Sequence, residues 1–470
     1  MPRAGWVKPQ TNQRVSDHIS IGVLTRVFPP EVVDRVVAEA GRTEVRHRLL
    51  PARVVVYYVL ALSLFSQASY EEVMRNLVEG LSWATGWVQA WNVPTKAALF
   101  KARSRLGPEV LKALFHAVAG PLATPTTRGA WYRGWRLMSV DGTCVEVADT
   151  PANEAAFGRP GSGRGEGKGA FPQVRLVGLA ECGTHALVDV AVGACTMGEA
   201  TLARGLLGSL GPGMVVLADR SIFSFALWNE ARASGAELLW RTRSNHLLAV
   251  EQRLGDGSYL SHINAVDDRR REHGVTVRII EYTLDDPGRP QADARYRLIT
   301  TITDPEAAPA DELAATYAQR WEFESSLDEL KTHQRGPRVV LRSKMPDGVH
   351  QELYGYLCVH DAIRWLMHSV ALKADADPDR LSFIRSLRVA RRTTASHPGF
   401  PPQALADSHA KATGEILFEV LPPRRLRANP RVVKRKMSNF GVKRAPHRDW
   451  LQPTKQNQDA IRIIGIPELK

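Results

Sequence analysis

The chain has 470 residues, 24% of them charged, and a formal net charge of +13. That length allows two to four domains, and the basic balance favours an acidic partner such as nucleic acid. The four cysteines, Cys144, Cys182, Cys195 and Cys358, are scattered, which argues against a Cys-x2-Cys zinc site and a disulfide framework and fits a reducing cytoplasm.

Residues 1–20 are polar, lack the apolar core of a signal peptide, and are expected to be flexible. The longest apolar run, Val54–Phe65, is too short to span a bilayer, so no membrane partner is expected. Residues 21–125 read as helical. Pro51 suits the first turn of a helix running to about Phe65. Ser69-x-x-Glu72 has the form of a capping box before Val73–Val78. Lys96–Leu106 is a helix stopped by Gly107-Pro108. Lys96, Lys101, Arg103 and Arg105 make it basic, suited to solvent or to a DNA backbone.

From Trp131 the pattern turns to strands. Arg136–Val147 is one, and Asp141 lies within it. Gly158–Gly169 reads as a flexible basic loop; no strand–Gly-x-Gly-x-x-Gly–helix order accompanies it, so a dinucleotide site is not expected. Gln173–Glu181 and His185–Val192 form a hairpin. A short helix, Glu199–Ser209, precedes the apolar strand Met214–Ala218, which ends in Asp219. Helix Phe223–Ser234 and strand Glu237–Arg241 complete the segment 131–241. Residues 242–310 read as a β-rich insertion, with strands at Val275–Leu284 and Arg295–Thr303. Residues 311–394 return to helices, including Tyr354–Val370 and Leu381–Arg391. Ala395–Pro402 is a linker, and 395–470 is a basic tail. From Pro422 to Trp450, Arg424, Arg425, Arg427, Arg431, Lys434, Arg435, Lys436, Lys443, Arg444 and Arg448 face a single acid, Asp449. Such a run gives salt-sensitive, sequence-independent affinity for DNA.

The segment Tyr317–Lys331 has no Gly or Pro and predicts one helix. At about 100° per residue, Tyr317, Arg320, Glu324 and Lys331 share an arc of about 60°, beside an apolar stripe of Phe323, Leu327 and Leu330. A carboxylate there can hold a metal ion, and the cations and phenol can hold phosphate oxygens. Glu322 points elsewhere. An aspartate that ends an apolar strand ordinarily begins a loop or caps a helix. Asp141 within a strand and Asp219 at the end of one both stand upstream of Glu324.

The spacing Tyr-x2-Arg-x3-Glu-x6-Lys, with Tyr-x-x-Arg-Trp-x-x-Glu and Glu-Leu-Lys around it, resembles the signature of the IS4-type DDE transposases. The resemblance covers roughly residues 20–450. It implies a ribonuclease-H-like α/β catalytic core with a β-rich insertion and a helical N-terminal domain that contacts transposon-end DNA. It implies metal-dependent strand cleavage and strand transfer, with Asp141, Asp219 and Glu324 holding two Mg²⁺ (Mn²⁺ as a substitute). Tyr317, Arg320 and Lys331 would hold phosphates. Tyr296, flanked by Arg295 and Arg297, would meet an extruded base. The partners would be double-stranded DNA, as transposon ends and target, and a second copy of the chain; the location would be cytoplasmic, at the nucleoid. Ser325-Ser326 departs from the bulkier residues common after the Glu. Glu146, Asp149 and Asp328 are the substitute acids nearest the motif. A nuclease without strand transfer and an inactive DNA-binding descendant are the rival functions. None of the fourteen histidines has ligand spacing with a matching acid.

Overall fold

The computed structural model describes residues 19–465 except 46–49, 79–92, 162–166, 168, 244–245, 266–273, 290–293, 338, 397–401, 423–425, 427–428, 431 and 435–440. The helices are α1 (Pro30–Glu39), α2 (Ala52–Leu64), α3 (Tyr70–Val78), α4 (Lys96–Leu106), α5 (Glu109–Val118), α6 (Pro151–Phe157), α7 (Glu199–Ala203), α8 (Phe225–Arg232), α9 (Ala310–Tyr317), α10 (Trp321–Asp328), α11 (Pro346–Lys373), α12 (Phe383–Ser396), α13 (Pro402–Leu417) and α14 (Asn457–Ala460). The strands are β1 (Trp131–Tyr132), β2 (Trp135–Glu146), β3 (Gln173–Glu181), β4 (Leu187–Ala194), β5 (Met214–Ala218), β6 (Glu237–Arg241), β7 (Gln252–Arg253), β8 (Tyr259–Ile263), β9 (Val275–Leu284), β10 (Tyr296–Thr300), β11 (Val432–Val433), β12 (Gly441–Val442) and β13 (Ile461–Ile463). Among the described residues no helix is long and apolar enough to cross a membrane.

The chain divides into two compact units. The first comprises residues 1–130, 142–202 and 322–421. Its core is built on α2, which is apolar all round and buries every residue but Arg53. A helix with that pattern must lie inside a bundle. It packs on α11, and Gly355 allows the approach: a Cβ there would meet Ser63 Oγ at 2.7 Å. Tyr57 and Tyr58 keep their hydroxyls satisfied, donating to the carbonyls of Phe28 (2.8 Å) and Tyr70 (3.1 Å). The capping box is half formed, with Glu72 N–H donating to Ser69 Oγ at 3.2 Å. Arg103 does not join a basic face on α4. It is buried, and donates to Gln351 Oε1 (3.1 Å), Ser343 Oγ (3.2 Å) and the Gly348 carbonyl (3.1 Å). The β3–β4 hairpin is antiparallel, as expected, and neighbours the far end of β2.

The second unit comprises residues 131–141, 203–321 and 422–470. The near end of β2 pairs parallel with β5, and β5 parallel with β6. Helix α8 follows β5 and precedes β6, burying Trp228 edge-on against Trp240 at 5.2 Å. An antiparallel hairpin beside the first strand and two parallel strands joined through helices are the two parts of a ribonuclease-H-like sheet. The β-rich insertion continues this sheet. β6 pairs with β10, then come β9, β8 and β7, each antiparallel. Arg278, fully buried on β9, holds the Gly255–Gly257 turn through Asp256 and Ser258 (2.8 Å) and reaches the Ala308 carbonyl at 2.7 Å.

The segment after 395 is more ordered than a basic tail. Residues 402–417 form α13. β13 adds antiparallel to β9, pairing Ile461 with Leu284, and Asp286 accepts the N–H groups of Thr454 (3.0 Å) and Lys455 (3.2 Å). The tail cations Arg424, Arg425, Arg427, Arg431, Arg435 and Lys436 lie outside the described residues, as do residues 1–18 and, in the Gly158–Gly169 loop, 162–166 and 168.

Candidate active site

In the second unit the parallel register pairs Val140 with Ala218. Asp141 and Asp219 are the next residues on the two strands. Neighbouring strands run about 4.8 Å apart, so two carboxylates start side by side. Each has an arginine. Arg320 Nη1 donates to Asp141 Oδ2 at 2.8 Å, with side-chain exposures of 8% and 17%. Burial that deep removes most water screening, so this pair is stronger than a surface salt bridge. Arg241 Nη1 lies 3.9 Å from Asp219 Oδ1. Asp219 Oδ1 is buried and accepts no hydrogen bond among the described residues. A buried carboxylate oxygen without a donor, next to a second carboxylate, is a donor set suited to a hard divalent cation. Tyr317 is buried rather than presented. Its hydroxyl donates to the Ala218 carbonyl at 3.4 Å, and burial pushes its ionisation up, against the lowering pull of Arg320.

Tyr296 opens β10, half-buried. Because β10 lies between β6 and β9, its ring has a neighbour on each side. Tyr282 stacks on it at 5.1 Å with 17° between planes, and the Arg241 guanidinium sits 4.9 Å from the ring centre. The flanking arginines do not share this face, since adjacent strand residues point to opposite sides. Arg297 donates to Glu281 Oε1 (2.6 Å) and the His246 carbonyl (2.8 Å), and Arg295 to Glu281 Oε2 (3.2 Å). The arginine on the face of Tyr296 is Arg241. Its guanidinium lies between the Tyr296 ring and the Asp219 carboxylate.

The single helix expected over Tyr317–Lys331 is a composite. α9 ends at Tyr317, a 3-10 turn spans Ala318–Arg320, α10 runs over Trp321–Asp328, and a π-helical turn spans Glu329–Gln334. A constant 100° step therefore does not hold from 317 to 331. Within the first unit Glu324 lies half-buried on α10. Phe323 and Leu330 are buried as the stripe predicts. Ser326 is buried and returns its hydroxyl to the Glu322 carbonyl at 3.2 Å, which explains a small residue there. Lys331 Nζ donates to Thr143 Oγ1 at 2.7 Å, and burial, then Arg335, lowers its pKa. Of the substitute acids, Asp149 is tied to Arg159, and Asp328 faces His333 at 3.4 Å. Glu322 faces away from solvent and accepts the Gly183 N–H.

A polar cluster in the first unit was not evident from the sequence. Glu329 accepts from Arg364 Nε (2.9 Å) and lies 3.2 Å from His360 Nε2. Despite burial it is held well below the usual carboxylate range by Arg364 and the two histidines. His185 lies 3.7 Å from Glu329 and 3.1 Å from Asp379. The available signal was His360, Asp361 and Arg364 among apolar residues in the middle of a long helix.

Comparison with known proteins finds transposases. A model described as "Transposase DDE domain" matches residues 134–361, and one described as "Insertion element 4 transposase N-terminal" matches 18–116. "Transposase InsG for insertion sequence element IS4" of Escherichia coli K12 is 28% identical over 437 residues, covering 90% of this chain and 92% of that protein. "Putative transposase InsZ" of the same organism is 22% identical over 213 residues, covering 45% and 68%. A piggyBac transposase solved as a synaptic complex with hairpin DNA covers 86% of this chain, with 85% of its own length matched, at 10% identity and a TM-score of 0.42, too loose a likeness to carry an argument.

Proposed function

The chain belongs to the IS4-type DDE transposases, enzymes that cleave and join DNA strands, and on that premise we propose that it moves an insertion sequence by metal-dependent cleavage and strand transfer at the element's ends. The observation that supports this most is the pairing of Asp141 and Asp219 on adjacent parallel strands, with a buried Asp219 oxygen that accepts no hydrogen bond among the described residues. Family members use a divalent metal. In our reading Asp141, Asp219 and Glu324 hold two Mg²⁺, with Mn²⁺ as a substitute. Bound there, such a pair supplies positive charge to the attacking and leaving oxygens of an in-line displacement.

The remaining roles belong to side chains of this chain. Tyr317 fixes the Ala218 carbonyl, and so the base of Asp219. Arg320 donates to Asp141 and is placed to hand its guanidinium to a phosphate beside the scissile bond. Lys331 is held by Thr143 as a second phosphate donor, and Tyr296 backs Arg241. The helical N-terminal region binds terminal repeats, basic residues add non-specific affinity for target DNA, and two copies pair two ends.

The test is cleavage of duplexes carrying the element's own ends, in Mg²⁺, followed by joining to a target plasmid. Cleavage and joining that both vanish in Asp219→Asn support the reading. Cleavage without joining by the unmodified chain would make it a nuclease, and neither activity would leave only DNA binding.

A further inference from the structure

A second set of ligand-type side chains lies in the first unit, and none of it belongs to the three proposed acids. His185, Glu322 and Asp379 each offer one donor atom, all within 4.8 Å of one another. They come from three separate stretches: the turn of the β3–β4 hairpin, the start of α10, and the 3-10 turn Pro378–Arg380. His185 Nε2 lies 3.1 Å from Asp379 Oδ1 and 3.8 Å from Glu322 Oε2. A cation about 2.0–2.2 Å from each donor needs donors about 3.0–3.6 Å apart, so these separations require only small adjustments.

Three features indicate a prepared site. His185 is 2% exposed, and its Nε2 takes part in no hydrogen bond among the described residues although it faces two carboxylates. Its backbone is left-handed at φ 59°, a conformation in which residues other than glycine are uncommon. Two residues before it Gly183 is also left-handed, at φ 79°, and a Cβ there would meet the Arg128 carbonyl at 2.5 Å. The ligands are also supported from behind. Gly183 N–H donates to Glu322 Oε2, and Glu329 lies 3.7 Å from His185 Nδ1. With zinc on Nε2, Glu329 is the outer carboxylate placed to accept the Nδ1 proton and orient the ring. In the metal-free chain Arg364 Nη2 donates to Nδ1, so the imidazole proton lies on Nε2; zinc on Nε2 would move that proton to Nδ1 and release this contact, while Arg364 keeps its anchor on Glu329.

We propose that His185, Glu322 and Asp379 bind one zinc ion that fastens the hairpin turn to the helix bearing Glu324. One imidazole and two carboxylates are a donor set that zinc accepts. Asp379 is the most exposed of the three, at 22% of its side chain, and gives the ion its way in.

The experiment uses the full-length chain, stripped with EDTA and titrated with ZnCl2 by calorimetry, with bound metal counted by mass spectrometry. An Asp141→Asn/Asp219→Asn variant removes two of the proposed reaction-centre carboxylates. It should still bind one zinc per chain, and zinc should raise its melting temperature. Asp379→Asn should lose that equivalent and the thermal shift. Glu329→Gln should keep the stoichiometry but bind roughly 10–100-fold more weakly, as outer partners do. If His185→Gln fails to fold, Asp379→Asn and Glu322→Gln decide the matter. No zinc uptake by the unmodified chain would overturn the assignment. So would uptake that disappears in the Asp141→Asn/Asp219→Asn variant, or that persists unchanged in Asp379→Asn and Glu322→Gln. The transposase reading does not depend on any of these results.

Discussion

Asp361 gives a sharp test of the helical core. It lies on α11, 1% exposed, among buried apolar residues. Burial raises its pKa to about 8; Glu181 adds to the rise, and a hydrogen bond from the Leu187 N–H opposes it. In the unfolded chain the same group titrates near 3.9. Between those values the unfolded chain has released a proton that the folded chain keeps. Stability therefore falls as pH rises through this window, by about 1.4 kcal/mol per pH unit. From pH 5 to pH 7.5 the loss amounts to about 3 kcal/mol, easing as the folded carboxyl begins to ionise. Asp361→Asn keeps the shape and removes the titration. Urea midpoints followed by tryptophan fluorescence, for both proteins at both pH values, isolate the effect, because other titrating groups cancel in the difference. The stability of Asp361→Asn relative to the parent should rise by about 3 kcal/mol between pH 5 and pH 7.5. Parallel pH profiles for the two proteins would refute the reasoning, since Asp361 would then ionise as readily folded as unfolded.

Asp141→Asn, Asp219→Asn and Glu324→Gln should each abolish cleavage in Mg²⁺ while end binding, read by gel shift, persists; normal cleavage by any one removes that residue from the site. Arg320→Ala should slow cleavage yet bind divalent metal at least as well as the parent in calorimetry, because it frees Asp141 Oδ2 of its partner. A loss of metal as large as that of Glu324→Gln would mean that Arg320 builds the metal site. Tyr296→Phe should behave like the parent, whereas Tyr296→Ala should lower the salt dependence of DNA binding by releasing Arg241 from its ring; an unchanged slope would separate the two residues. Arg103→Ala leaves Gln351 and Ser343 without their buried donor and should destabilise the chain by about 1–3 kcal/mol in urea, with no change in DNA affinity. A weaker DNA complex at unchanged stability would return Arg103 to the binding surface.

The parts of this molecule that could be read in its sequence are those where one local signal dominates. An apolar run ending in a single acid gave Asp219 its place, because a buried strand has to stop where a charge begins. The β-rich insertion was legible from alternation, but not its continuity with the core sheet, which depends on the pairing of β10 with β6. The motif helix misled where its geometry changes. The 3-10 and π turns on either side of α10 rotate Tyr317 and Lys331 out of a single wheel. Arg103 read as facing solvent or DNA, and Arg295 and Arg297 as flanking a base-binding Tyr296, because composition does not register partners; each is satisfied within the protein. Arg241 was passed over because nothing in its own segment marks it. Its neighbours, Asp219 and Tyr296, come from other strands. His185, Glu322 and Asp379 were hidden for the same reason, their meeting being a property of the tertiary fold.

The last strand also orders events on the ribosome. β8 covers the edge of β9 only as far as Ile279, and the remainder, Tyr282 to Leu284, finds its partner in β13 at the far end of the chain. At about 5–20 residues per second, that edge waits roughly 10–40 s after its own synthesis before Ile461–Ile463 exist to cover it. Tyr282 is also the base of the stack that carries Tyr296 and Arg241 beside Asp219. A nascent chain therefore carries an open strand edge close to Asp219 until Ile461–Ile463 emerge, a stretch of time in which pairing with another chain competes with that of β13.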